Sequence, residues 1–346
     1  RWSAGEKLSL TAGIRWSQDE KDWCASGMNN SNFLGVIDTA GQKVCGSEKW
    51  SEMTPRLVAD YALAKDVLVY ASFSKGYKGG GFNTPTKSTD TRNDFVLDLA
   101  GGFINTFDQL PYGGNINNVD PNAEQVFFTG EAVSSFDPET VDAYELGIKS
   151  SFLNNQLQFN AAAFFMDYQD LQIQSATTAG IITSNAAEAE TQGVELDFVY
   201  AVTEDLVFMG NYTYLNAEFQ SGSRFAGAEI TGNTLPFAPE SAYSLSGAYD
   251  LSLGEGTLTL FTAYNWMDDY SYQADNAPNL TQEAYGLWNA KLTYYPASEA
   301  WDVAVSVDNI NDKGYSTWKQ DVGLGLGTNI ARGMPRLTSL RLNIYF

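Results

Sequence analysis

Apolar and polar side chains alternate residue by residue along twelve separate stretches of this chain, and the links joining those stretches alternate between short and long. In the first stretch Leu8, Leu10, Ala12, Ile14 and Trp16 share one face, against Ser9, Thr11, Gly13 and Arg15 on the other. Further on, Val194, Leu196 and Phe198 oppose Glu195 and Asp197, and at the end Leu340, Leu342 and Ile344 oppose Arg341 and Asn343. A repeat of two is the period of a β-strand; a helical repeat would set Glu195 and Leu196 on nearly adjacent faces. The pattern predicts strands over 6–18, 51–63, 67–78, 140–152, 156–170, 190–201, 205–218, 239–252, 256–269, 284–295, 300–311 and 335–346. Most run 11–15 residues, longer than the soluble norm of about 5–6 and enough to cross a bilayer obliquely, which takes about 9–11.

The links decide between architectures. Short ones fall around Ala64–Asp66, Leu153–Asn155, Val202–Glu204, Leu253–Glu255 and Pro296–Glu299. Long ones cover 19–50, 79–139, 171–189, 219–238, 270–283 and 312–334. Tight turns at one rim and long loops at the other are the pattern of an antiparallel transmembrane β-barrel of the outer-membrane type; a β-sandwich has no reason to sort its loops this way. Aromatics gather at strand ends, with Trp16, Tyr77 and Trp266 near the long loops and Tyr61, Tyr249 and Trp301 near the short turns. Amphipathic rings favour the two membrane–water interfaces. Unpaired backbone groups are not tolerated in hydrocarbon, so such a sheet must close, either alone or within a larger cylinder.

Composition narrows function. Aromatics make up 14% of the residues while mean hydropathy is only -0.25, and no apolar run reaches the roughly 18 residues of a membrane helix. The formal charge of -22 argues against nucleic acid, whose phosphates call for a basic surface. With no histidine in the chain, a Ser-His-Asp triad, a histidine metal site and a histidine general base are all excluded. No enzyme activity, metal or cofactor is expected. Cys24 and Cys45 are the only cysteines and lie in one polar segment. They predict a disulfide closing that loop in an oxidising compartment, worth about 3 kcal/mol by loop entropy; two free thiols are the alternative.

The segment YASFSKGYKGGGFN, Tyr70 to Asn83, starts as a strand and ends in three glycines. It lacks the Gly-Lys-Ser/Thr ending of a phosphate loop. It reads instead as a strand leaving the membrane, with the glycines releasing the chain into a long loop that holds 8 Asp/Glu against 2 Lys/Arg from Gly79 to Pro138. This segment resembles the strand-and-loop motif of TonB-dependent outer-membrane receptors. So do VDAYELGIKSSFLNNQLQFNAAAFFMDYQDLQ (Val141 to Gln172), ETQGVELDF (Glu190 to Phe198), VSVDNINDKGYSTW (Val305 to Trp318) and the closing PRLTSLRLNIYF (Pro335 to Phe346).

The resemblance implies a 22-stranded barrel plugged by an N-terminal domain, of which residues 1–346 are the C-terminal barrel portion. Arg1 opens directly onto strand-patterned sequence, so residues 1–346 are expected to hold no signal peptide, plug or coupling motif of their own. The implied function is energy-coupled uptake of a scarce nutrient, foremost a ferric siderophore. Oligosaccharide, cobalamin and peptide ligands, and a passive porin, remain alternatives. Implied partners are the periplasmic TonB protein, acting through the plug, the barrel-assembly machinery, and outer-membrane lipid and lipopolysaccharide. Phe346, ending an alternating last strand, resembles the signal read by the assembly machinery. Phe82, Phe95, Phe103, Phe107 and Tyr112, set among amides and carboxylates, are candidate ligand contacts; the alternative is that they pack the loops on each other. Glu145, Lys149, Glu195, Asp197, Asp250, Lys291 and Arg341 are expected to line the lumen.

Overall fold

The computed structural model describes residues 2–26, 43–83, 135–177, 180–321 and 327–346. Thirteen strands form one sheet whose spatial order is the chain order, each antiparallel to the next. They are β1 (Trp2–Ala4), β2 (Leu8–Ser26), β3 (Lys43–Ala64), β4 (Val67–Lys78), β5 (Glu139–Phe152), β6 (Leu157–Thr177) and β7 (Gly180–Ala201). The second half holds β8 (Leu206–Phe219), β9 (Ser241–Leu253), β10 (Gly256–Met267), β11 (Tyr285–Tyr295), β12 (Trp301–Asp308) and β13 (Leu337–Ile344). β1 and β13 lie at opposite ends of the sheet order and are not neighbours in it. The only helix among the described residues is a 3-10 turn, Pro278–Leu280.

Register carries the sequence alternation across the sheet. One row reads Leu10, Ala59, Ala71, Leu146, Ala163 and Val194. A neighbouring row on the other face reads Lys149, Asn160, Asp197, Asn211, Ser244 and Asn265. A slip of one residue at any pairing would exchange the faces. Followed strand to strand, the register keeps all seven expected lumen residues on the polar face, Glu145 through Arg341.

The apolar face is bare. Ile14 is 72%, Leu146 63% and Leu340 75% exposed, among many large apolar side chains in the same state. A water-soluble body does not display a continuous apolar surface of this extent; hydrocarbon is the medium in which it is stable. The main cluster of buried apolar residues (Ala187, Ala189, Phe219, Ile230 and Ala274) lies at the long-loop ends of the strands, not between two stacked sheets.

The short turns fall where the sequence places them. Asn154 and Asn155 take left-handed φ of 57° and 70° in the β5–β6 turn, a conformation asparagine tolerates. The long-loop side departs from expectation. Residues 19–26 with 43–50, and 171–177 with 180–187, continue the strands as paired hairpin arms. Above the membrane, water would satisfy their backbone without strands; here the two arms satisfy each other. A bulge at Asp170, φ 55°, marks where the β6–β7 hairpin changes register.

Candidate functional site

The long-loop rim is built around the strap by which the chain leaves β4 and enters β5. Gly81–Phe82 pairs with Ser135–Phe136 as a two-residue ribbon. The glycine triplet does not simply release the chain, as the sequence suggests. Gly80 and Gly81 are buried, and a Cβ on Gly80 would lie 2.7 Å from the Trp50 ring and 2.5 Å from the Phe136 carbonyl oxygen. A Cβ on Gly81 would lie 2.6 Å from the Phe136 ring. Neither glycine has positive φ; what they supply is close backbone approach. Lys21 Nζ donates to the Gly80 carbonyl at 2.5 Å. Gln172 Nε2 donates to the carbonyls of Gly79 and Asp137 at 3.1 and 3.0 Å.

Phe82, a candidate ligand contact, packs between Trp23 and Trp50, with ring centroids 6.4 and 6.2 Å apart. Next to it Asn83 is buried and exchanges two hydrogen bonds with the Thr183 backbone, Nδ2 to O at 2.8 Å and N to Oδ1 at 2.7 Å. Asn185 does the same for Asp137, accepting from its N–H at 2.6 Å and donating to its carbonyl at 2.8 Å. These amides give the strap the partners that a neighbouring strand would otherwise supply. Phe95, Phe103, Phe107 and Tyr112 lie outside the described residues. Cys24 stands opposite Cys45 in the β2–β3 register and is disulfide-bonded. Phe346 follows β13 with its side chain fully exposed.

A second part of the rim carried no sequence signal. Residues 219–238 fold over the β6–β7 hairpin, burying Phe219 and Ile230 on Ala187 and Ala189. Ser223 Oγ donates to the Glu188 carbonyl at 2.9 Å and accepts from its N–H at 3.0 Å. Beside this lies an aromatic group: Tyr285 stacks on Tyr315 at 4.8 Å, and Phe237 meets Tyr272 edge-on at 5.4 Å. Tyr272 Oη donates to the Ser316 carbonyl at 2.8 Å. Burial, first of all, pushes the phenols of Tyr270 and Tyr272 up from their ordinary value. Period-two reading sees none of this, because the pairings join separate loops.

Four carboxylates stand in one row across four strands, Asp142, Asp167, Glu190 and Glu218. By parity they share the face of Tyr144 and Leu146, one pleat beyond the aromatic pair Tyr144 and Phe165. Their strand neighbour Lys75 pairs with Glu52 at 2.7 Å instead. Among the described residues no three Cys, Asp or Glu converge as a metal site.

One antiparallel meander, bare and apolar on one face, tight-turned at one rim and crowned with packed loops at the other, defines a membrane-spanning β-barrel of the outer-membrane type. The chain belongs to the TonB-dependent receptors: the family described as "TonB dependent receptor-like, beta-barrel" matches residues 1–310. It is 25% identical over 320 residues to the pesticin receptor of Yersinia pestis, covering 92% of this chain and 38% of that protein. It is likewise 25% identical over 344 residues to the metal-pseudopaline receptor CntO of Pseudomonas aeruginosa, covering 99% of this chain and 39% of the relative. In three dimensions it matches the ferric yersiniabactin uptake receptor FyuA from Yersinia pestis with a TM-score of 0.73 at 22% identity, over 100% of this chain and 44% of that one. The chain thus spans about two fifths of the curated relatives it matches.

Proposed function

We propose that this chain forms the membrane-embedded wall and long-loop rim of an outer-membrane receptor that imports a scarce nutrient, a ferric siderophore, with energy delivered by TonB through a plug region. The observation that carries this reading is the family match over residues 1–310, joined to a likeness over nearly the whole chain to receptors whose names specify metal-chelate ligands. The 8 Asp/Glu against 2 Lys/Arg between Gly79 and Pro138 favour a chelate presenting neutral or cationic groups to that loop over a strongly anionic one. Aromatics of the same loop, Phe95, Phe103, Phe107 and Tyr112, supply apolar contact area for an organic ligand. Residues 1–346 act in this reading as a single barrel domain.

Lipopolysaccharide is the proposed lipid partner on the outer leaflet. The outward row from Asp142 to Glu218 supports contact with its phosphates through divalent cations, because directly opposed carboxylates repel unless counter-charge lies between them. Phe346 is the proposed contact for the assembly machinery.

The test is uptake by a strain lacking its own ferric-siderophore receptors and expressing this one, supplied with a panel of labelled ferric chelates. Accumulation of at least one chelate that stops when TonB is deleted supports the proposal. Accumulation that survives collapse of the inner-membrane gradient points to a passive channel, and none at all contradicts the ligand class. A second reading, a chelate of another transition metal, is favoured by the 25% identity to the metal-pseudopaline receptor; loading the same chelators with zinc, nickel or copper separates the two.

A further inference from the structure

Phe82 occupies a socket whose walls come from the outer, paired arms of β2 and β3. Trp23 and Trp50 flank its ring, and a Cβ at Gly46 would lie 3.1 Å from it. Trp23 and Gly46 are directly opposed in the register, and the next opposed pair is Cys24 with Cys45. The covalent link at Cys24 therefore sits one residue beyond the socket, where it sets the spacing of the two arms that grip the ring. On the other side of Phe82, Asn83 holds the Thr183 backbone in the β6–β7 hairpin. Two hairpins that share no strand pairing are joined through two consecutive side chains.

We infer that Phe82 and Asn83 form a tie coupling the β2–β3 and β6–β7 hairpins, that Phe82 is a positioning residue and not a ligand contact, and that the disulfide at Cys24 keeps the socket closed on it. A flat ring gripped from both sides fixes its own backbone, and with it the neighbouring amide that reaches Thr183. The arrangement also makes the tie responsive to thiols. Dithiothreitol would pass two electrons and two protons to the protein sulfurs and close into its own cyclic disulfide, leaving the arms joined only by strand pairing. None of this depends on which ligand the receptor takes.

The experiment is hydrogen exchange, followed by mass spectrometry, of the peptide carrying Thr183 in the detergent-solubilised receptor. Asn83, not Phe82, makes the hydrogen bonds to Thr183, yet Phe82→Ala is expected to speed exchange at Thr183 at least tenfold, with Phe82→Leu recovering part of the protection. Dithiothreitol treatment of the unmutated protein should reproduce the increase, and treatment of Phe82→Ala should add little, because both act on one socket. Thr183 exchange unmoved by reduction, or effects of the two that multiply, would overturn the inference. The reduction arm needs no variant to fold.

Discussion

Asn343 donates its side-chain amide to both carboxylate oxygens of Asp302, at 3.0 and 2.9 Å. The two residues are opposed in the register of β12 and β13, and Tyr345 Oη adds a third donor at 2.5 Å. Asp302 is buried, so this polar clamp holds the last strand to its one neighbour in the sheet order. Asp302→Ala leaves those donors without their acceptor. Its expected outcome is a lower unfolding temperature and faster protease access to residues 337–346, whereas Asp302→Asn keeps part of the effect. Thermal unfolding in detergent with N-terminal sequencing of early fragments checks it.

The two faces of β5 should answer charge differently. Leu146→Arg puts a cation on the bare apolar face and is expected to destabilise the inserted protein by about 2–4 kcal/mol if the site is near the bilayer midplane. Lys149→Gln, three residues away on the polar face, should change stability little. Urea titrations of both variants folded into lipid vesicles measure the contrast.

Gly80→Ala tests the close approach of the strap. The added methyl meets the Trp50 ring and the Phe136 carbonyl, one a fused ring and the other backbone, and overpacking of this kind costs about 1–3 kcal/mol. The expected signs are altered tryptophan fluorescence and proteolytic cleavage at residues 79–83, with the membrane strands intact.

Most of what crosses the membrane was legible in the sequence, because hydrocarbon on one side and polar surroundings on the other force strict alternation, as at Leu146 against Lys149. β4 emerges at Val67–Lys78, the predicted bounds, and the other predicted strands differ by a few residues except where hairpin arms extend them, while the three-residue β1 has no counterpart among the predicted twelve. Those arms were unreadable for a physical reason: outside the bilayer nothing requires an oily face, so Gln172 to Asn185 reads as loop although it pairs. The strap differs from its sequence pattern for another reason. Glycine at 79–81 looks like freedom in one dimension, and only the fold shows Asp19, Trp50 and Phe136 filling the space that the missing side chains leave. The pairing of Asn83 with Thr183 joins positions 100 residues apart and leaves no periodic trace. Phe82 was recognisable as a rim aromatic, but not as one already enclosed by Trp23 and Trp50.

The rim phenols give a pH dependence. The Tyr270 and Tyr272 phenols are pushed up by burial, from an ordinary value near 10. A folded-state value above the unfolded one means the folded state holds its protons longer. The stabilisation is fully present below about pH 10 and is lost as pH rises through the folded values. The rim should therefore loosen only in strong alkali. Phenolate absorbance near 295 nm should show a late-titrating fraction that shrinks in Tyr270→Phe.

The most direct test of a lipid-bathed sheet is spin labelling of single cysteines at successive positions from Tyr144 to Lys149, in the receptor reconstituted into vesicles. Collision rates with oxygen, which partitions into lipid, should be high at 144, 146 and 148, and rates with a water-soluble nickel complex should be high at 145 and 149, position 147 being covered by the Tyr70 ring. A repeat near 3.6, or six positions shielded alike from both reagents, would contradict the membrane-spanning barrel.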